Sequence, residues 1–549
     1  MPYPTLQDFL TALDSAGELH RITAPVSPIL EITQIADRVS KSPAPVLSPH
    51  AKHFDPHHAH LGGKALLMTN VPGYGSMPVA INTFGSYRRM EMALGCEDGG
   101  FDALGQKLAE IAKPEPPVGL LEKMKKGLEL ARIAAMGPKV VRTGLCQQVV
   151  KTGADINLLE LPILKCWPDD GDPSKFGYPV GLQQPGQGRY ITLGGVYTIH
   201  PDDAGKDGPR PSRNIGMYRA QLLDRNRTAM HWHIHHDGAR HWRAWKKLGK
   251  PMPCAIAFGG ESVLPYAATA PMPPGISELL LAGFLNQKAI ELVPCKTVDL
   301  HVPANAELVL EGYVSNEAGP IGYDPRDAKS PPLDPQHEAF EGPFGDHTGF
   351  YSLPDRYPIF TITAVTHRRD PIYPTTIVGL PPQEDYYMGK ATERVFLPLL
   401  RTIVHDIIDY DLPMFGTFHN CVFIKIRKEY PLQARRVMHS IWGTGQMAWT
   451  KMIVVVDEHV NVHDHEQVLF ELCANCDPGR DVETVHGPLD ILDHAAPYLG
   501  AGTKMGFDAT RKIPGEQVHG LPIRDFPTRL AMSPQIVAQV ERRWRELGL

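Results

Sequence analysis

Three short stretches of the chain hold residues whose types and spacing can do chemistry. The first runs SRNIGMYRAQLLDRNRTAMHWHIHHDGARHW over 212–242. Asn214 offers an amide oxygen, a hard ligand suited to a divalent cation. Five residues on, Arg219 offers a permanent planar cation that fits a carboxylate or phosphate. His231, His233 and His235 then alternate with Trp232 and Ile234. In a strand this spacing puts the three histidines on one face. That face can wall a polar pocket, lie in solvent, or hold zinc, although adjacent positions on one strand do not close a tetrahedral shell.

The second stretch is PMPPGISELLLAGFL, 271–285. Ser277 is placed to cap a helix and Glu278 to sit in its first turn. A first-turn acid usually complements the helix dipole; the alternative is a carboxylate aimed at a metal. The third is EGPFGDHTGFY, 341–351. Glu341 and Asp346 sit five apart on a Gly/Pro-rich turn. Two acids in unequal environments separate in pKa, which acid–base chemistry exploits; a surface turn also favours Asp and Gly. Cys473 and Cys476 form a lone CxxC with no second pair at ligand spacing, so they read as ordinary thiols on a helix.

The elements that must position these residues fall into blocks. Thr5 and Asp8 stand at capping-box-like spacing, Leu6, Phe9, Leu10 and Leu13 follow at helical period, and Gly17 ends the pattern. α/β pattern continues to about 112, then a Pro-rich joint at 113–119 and a charged amphipathic helix over 120–136. From about 140 to 370 short β-rich runs predominate (190–200, 253–260, 306–314), which predicts a mixed or antiparallel barrel. Within it 315–340 reads as a long loop. The run MIVVVD, 452–457, predicts a buried parallel strand, with helices near 391–408 and 464–474. A Pro-rich turn and a terminal helix over 534–547 close the chain, the helix suited to docking on a neighbouring subunit. The expected division is 1–118 α/β, 119–370 split barrel with its preceding helix, 371–512 α/β, and 513–549 tail.

Bulk properties set outer bounds. A chain of 549 residues is too long for one core. Its 42% hydrophobic and 21% charged residues are those of a globular protein. A net charge of −6 argues against a nucleic-acid protein. The 279–285 apolar run is too short for a membrane span. MPYPTLQDFL is no secretory signal, and eight sparse cysteines fit a reducing, cytoplasmic setting. No GxGxxG opens a strand–helix unit, which disfavours a flavin oxidoreductase fed by NAD(P)H.

Taken together, the three stretches resemble the UbiD family. Further support comes from LQDFLTALDSAGELHRITAPVSPILEITQIADRV (6–39), CQQVV (146–150) and LPILKCWPDD (161–170), and from WTKMIVVVDEHVN (449–461), DPGRD (477–481) and GTKMGFDATRK (502–512). The resemblance implies an N-terminal α/β domain, a central split β-barrel that binds flavin, and a C-terminal α/β domain for oligomerisation. It also implies prenylated FMN as cofactor, its phosphate held through a divalent metal, usually manganese, with potassium nearby.

On that resemblance Asn214 and Glu278 fall on the metal ligands. Met217, Tyr218, Arg219, His231, Trp232, His233, His236 and Asp237 fall on cofactor-contacting segments, and either His235 or His236 on a further ligand. Arg219, Glu341 and Asp346 fall on the catalytic network, with Asp346 the family's usual proton donor. The segment 324–335 is longer than in ubiquinone-pathway relatives, which bears on the shape of the substrate mouth. The implied activity is reversible, non-oxidative decarboxylation of an aromatic or unsaturated acid. A 4-hydroxybenzoate-type acid is the default substrate, with a menaquinone-pathway or catabolic acid as alternatives. Implied partners are a flavin prenyltransferase as cofactor supplier and a second copy of the chain, in a dimer or hexamer. A polyprenylated substrate would add peripheral membrane association. A non-catalytic assembly protein of the same fold is disfavoured, because Asn214, Arg219, Glu278, Glu341 and Asp346 are all present.

Overall fold

The computed structural model describes residues 2–549 apart from 113–134, 180–185, 187, 207, 209, 274, 321, 514–515, 517–519, 521–522 and 524. The expected joint at 113–119 and nearly all of the expected helix after it lie outside the described residues.

The first helix, Leu6–Ser15, starts where Thr5 accepts a hydrogen bond from the Asp8 amide, and it buries Leu6, Phe9, Leu10 and Leu13. Its apolar face packs on a four-stranded sheet ordered Leu19–Ile22, Ala65–Met68, Val79–Ile81, Tyr373–Pro374. The last of these strands follows the central-sheet strand Asp355–His367 in the chain and pairs parallel to Val79–Ile81.

The central region is a ten-stranded sheet, antiparallel at every ladder. Its backbone is three long strands, Met252–Gly259, Ala306–Val314 and Asp355–His367. Their sequences are apolar at consecutive positions because both faces are covered. Cys254, Ile256 and Phe258 enter one core, while Ala255 and Ala257 enter the other; period two sorts them. Register shifts at Phe258/Gly259 and Glu311/Gly312 add the local bend that lets such a sheet curl.

The third region is a five-stranded sheet ordered Ile407–Asp411, Cys421–Ile426, Met452–Asp457, Ala501–Asp508, Val482–Pro488. Its three inner strands are parallel and its edges antiparallel. Met452–Asp457 is the expected buried parallel strand. Helices Gln433–Trp442 and His465–Asn475 flank this sheet.

One helix, Glu384–Ile403, joins the first and third regions. Its first residue accepts from the Asn82 and Phe84 amides at 3.0 and 2.9 Å. It lies along helix Gly100–Ala112, where a Cβ on Gly105 would meet the Val395 carbonyl at 2.8 Å; glycine is what permits that approach. Further along, Lys390 Nζ lies 2.7 Å from Glu393 and 2.6 Å from Asp411, inside a buried knot completed by Arg394, Asp409 and His463.

The terminal helix Pro534–Arg543 buries none of its residues. Ile536, Val537, Val540, Trp544 and Leu547 are all exposed. No helix among the described residues is long and apolar enough to cross a membrane. Cys473 and Cys476 are free thiols at the end of a helix.

Candidate active site

The central sheet brings the first and third stretches together. Strand Arg219–Leu222 runs antiparallel to Arg227–His231, with Arg219 opposite His231. Glu341 ends strand Glu338–Glu341, and Asp346 lies just beyond the short strand Phe344–Gly345. Arg219 Nε donates to Glu341 Oε1 at 2.8 Å and Nη2 to Oε2 at 3.2 Å, a bidentate fork. Nη1 donates to Asp346 Oδ2, and Nη2 also reaches Ser352 Oγ at 3.0 Å. The guanidinium stands 4.6 Å over the Phe344 ring. His231 Nδ1 lies 2.9 Å from Glu341 Oε2, and its ring packs 4.4 Å from Tyr357.

All of these groups are buried, and the charges set each other's protonation. Burial alone would raise Glu341, but Arg219 and His231 overcome it and hold the acid down to about 2. Burial would raise Asp346 too; His347 and Arg219 hold it well below the usual carboxylate range. Burial and the Arg219 charge keep His231 neutral. His347 moves the other way. Its Nδ1 lies 3.1 Å from Asp346 Oδ1, and despite burial that carboxylate holds the imidazole up to about 9. At neutral pH the site therefore holds two carboxylates, one guanidinium and one imidazolium.

Asn214 and Glu278 meet at the other end of the 214–219 run. Ser277 caps helix Glu278–Asn286 as its sequence predicts. The Glu278 carboxylate accepts from the Ile215 amide at 2.9 Å, beside Asn214. No ion pair with Glu278 is formed among the described residues, and burial raises it to about 7. The Asn214 amide nitrogen points to Thr198 Oγ1 at 3.5 Å. A cleft beside Asn214 is lined by Arg210, Arg213 and His301. Arg213 is half-buried and pairs with no carboxylate among the described residues. A buried acid short of a cation and a guanidinium short of an anion fit a metal-bridged phosphate.

The His-rich run differs from its expected form. Its alternation predicts a face shared by His231, His233 and His235, but the strand ends at His231. A turn follows, in which the His236 amide donates to the His233 carbonyl at 3.0 Å. His233 and His236 stack with centroids 4.6 Å apart, and His236 also stacks on Tyr218 at 5.2 Å. His235 lies beside Trp449 instead. Helix Asp237–Lys247 starts at the next residue, so helix onset overrides the two-residue period. Trp232 is sealed in the core against Tyr218 and Trp242, so its indole is not open to a ligand. Asp237 pairs with Arg240 at 3.0 Å. Met217 is half-buried at its strand's end.

Other contributors had fainter signals. Asp170 Oδ2 accepts from the Cys166 and Trp167 amides at 3.1 and 2.8 Å, and Oδ1 from Gly345 at 2.8 Å. A Cβ on Gly345 would meet the Trp167 ring at 2.1 Å, so the turn carrying Asp346 lies flat on that indole. The WPDD string marks the first half of this clamp but not what it holds. His347 adjoins Asp346 in sequence, and the GDH string alone gives no direction to its imidazole. The knot residues Glu393, Asp411 and His463 also lie close enough to share an ion. There Lys390 already supplies the positive charge, and the knot lies apart from Asn214 and Glu278.

Comparison with known proteins fits this architecture. Three domain models of 3-octaprenyl-4-hydroxybenzoate carboxy-lyase match in order: N-terminal over 10–108, Rift-related over 139–381 and C-terminal over 386–509. An uncharacterized protein of Aquifex aeolicus is 45% identical over 547 residues, spanning 100% of this chain and 99% of its own. One of Archaeoglobus fulgidus is 39% identical over 549 residues, with 100% and 99% covered. Vanillic acid decarboxylase of Sedimentibacter hydroxybenzoicus, in closed form, superimposes with a TM-score of 0.76 at 24% identity over 100% of this chain and 99% of that one, a likeness of fold. An evolved dimeric form of the UbiD-class enzyme HmfF from Pelotomaculum thermopropionicum, in complex with prFMN, gives 0.67 at 25% identity over 94% and 97%.

Fold and matches define the class: a three-domain α/β carboxy-lyase with a curled antiparallel sheet at its centre. The chain belongs to the UbiD family.

Proposed function

We propose that the protein is a non-oxidative, reversible decarboxylase of an aromatic or otherwise unsaturated carboxylic acid, working with prenylated FMN and a divalent metal. One observation carries the reading: a buried guanidinium forked onto one carboxylate and bonded to a second. It offers a fixed cation for a substrate carboxylate beside an acid that can pass on a proton. Asn214 and Glu278 are the proposed metal ligands, for manganese, with potassium nearby and Arg213 toward the phosphate. Met217, Tyr218, His231, His233 and His236, with the main chain at Trp232 and Asp237, are the proposed cofactor contacts. When bound, prenylated FMN supplies an electron sink for the pair left behind by CO2.

The chain's own groups do the rest. Arg219 orients the departing carboxylate and keeps Glu341 ionised. Glu341, with His231 behind it, holds Arg219 in place. Burial keeps water from the ring of charges and strengthens each pairing. One proton must then reach the carbon that carried CO2, and Asp346 is the proposed donor; the coupled acids share their titration. A hydroxybenzoate-type acid is the favoured substrate, polyprenylated or not. The likeness to vanillic acid and 3,4-dihydroxybenzoic acid decarboxylases is in keeping with it. A cytoplasmic homo-oligomer supplied by a flavin prenyltransferase completes the reading.

The test is co-expression with a flavin prenyltransferase and Mn2+. An absorption spectrum, a CO2-release screen over 4-hydroxybenzoate, its 3-prenyl derivatives, vanillate, 3,4-dihydroxybenzoate and cinnamate, and an NAD(P)H-oxidation assay follow. The expected result is flavin absorption, CO2 from at least one acid and no NAD(P)H oxidation. Flavin-loaded protein that oxidises NAD(P)H and releases no CO2 would refute the reading.

A further inference from the structure

We propose that His347 relays the proton that each turnover consumes, passing it to Asp346 from the cleft between the central sheet and the C-terminal region. The proposal rests on the decarboxylase reading above.

Asp346 is buried with both oxygens committed. Oδ2 is held by Arg219, and Oδ1 accepts from the His347 amide at 2.8 Å and lies 3.1 Å from His347 Nδ1. Arg219 cannot release a proton. Of the two side chains bonded to Asp346, only His347 can give up a proton. The His347 side chain is 15% exposed, and its Nε2 makes no hydrogen bond with any described residue. The ring lines a cleft with Pro381, Asp385, Met414 and Phe418, and Phe418 packs 5.4 Å from it. Charged and titratable groups face it from each side. Asp346 lies on its own turn, Asp385 at the start of helix Glu384–Ile403 and Asp490 after strand Val482–Pro488. His233 faces it from the central sheet and His419 from the loop before Cys421–Ile426. Tyr386 and the Lys390 ammonium line the same cleft, and Lys390 is already paired with Glu393 and Asp411; the Asp346 carboxylate in direct contact favours the imidazolium.

The step balances without a redox partner. The C–C bond to the carboxylate breaks and CO2 leaves. Asp346 rests as a carboxylate, so the proton comes first from His347 Nδ1 to Asp346 Oδ1. Asp346 passes it to the carbon that carried CO2, where the pair left by CO2 forms C–H; Asp346 returns to carboxylate and His347 is left as neutral imidazole. Rotation about Cβ–Cγ presents the emptied nitrogen to the cleft, where water recharges it. One solvent proton enters for each CO2 released.

The test uses flavin-loaded wild type, His347→Gln and His347→Lys, with kcat and KM followed from pH 6 to 10. Wild-type kcat should decline as pH rises through about 9. His347→Gln should lose tenfold or more in kcat with KM within about threefold. It should also lose that alkaline limb and recover part of the rate in imidazole buffer; a purely structural role predicts neither. His347→Lys should move the limb upward. A Gln variant with wild-type kcat and the same limb overturns the relay. If that variant fails to load flavin, the Lys variant and 15N NMR titration of His347 in wild-type protein decide: a midpoint near 9 supports the relay, one at or below 6.5 overturns it. Wild-type holoenzyme that releases no CO2 overturns both readings, whereas wild-type activity with an unaltered Gln variant sinks the relay alone.

Discussion

At the scale of single residues, the site is defined by which charges are matched. Asp346→Asn keeps the shape of the side chain but removes its acid. It should lower kcat by about 10²–10⁴-fold while flavin content, read from the absorption spectrum, is retained. Asn214→Ala and Glu278→Gln should each abolish the rise in Tm that Mn2+ gives the wild type, since a ligand stabilises only the state that binds it. The His347–Asp346 pair also makes stability depend on pH. His347 is raised to about 9 in the fold from about 6.5 when unfolded. Its contribution is therefore complete below about 6.5 and lost as pH rises through about 9. Asp346 is depressed, so its share is present above about 3.8 and lost on acidification. Urea midpoints should fall between pH 6.5 and 9 more steeply for wild type than for His347→Gln. The family resemblance singled out an Asn, an Arg and three acids; residue type alone did not, because a first-turn Glu278 and a Gly/Asp turn at 341–346 also have ordinary structural readings. What was not legible was direction. Nothing in HWHIHHD says that the strand stops at His231 and that His236 rather than His235 turns back onto His233.

At the scale of elements, the clamp around Gly345 does the positioning. In Asp170→Asn the single amide oxygen is drawn to the two-donor side, Cys166 and Trp167. The NH2 group then faces the Gly345 N–H, donor against donor. That should release Asp346 while sparing the 166–170 turn, lowering kcat by about tenfold or more with a loss of about 1–3 kcal/mol in urea unfolding. Retained kcat would show that the clamp does not set the acid's place. The runs 253–260 and 306–314 were legible because apolar and β-branched residues crowd them between turn signals; the longest strand, Asp355–His367, was not singled out. The pairing of Tyr373–Pro374 with Val79–Ile81 was not. Two residues carry no periodicity, and their partner lies almost three hundred positions away.

At the scale of the whole molecule, the terminal helix is an amphipath without a covered face in the single chain. Deletion of 533–549 should leave the melting temperature nearly unchanged but lower the oligomer mass seen by light scattering. An unchanged mass would mean that the helix takes no part in assembly. The tail was visible in sequence as a charged helix after a proline-rich turn.

The helix Glu384–Ile403 has a consequence for how the chain can be cut. Its head is tied to 82–84 and its body carries the Lys390 knot, so it is shared property of the first and third regions. Severing the backbone between 370 and 371 strips the first sheet of an edge strand and parts Glu384 from the 82–84 amides and Arg394 from Asp102. Two halves expressed apart should aggregate, and their mixture should reconstitute only when both are made together. A protease finding purchase along this stretch would thus inactivate the protein outright instead of liberating working pieces.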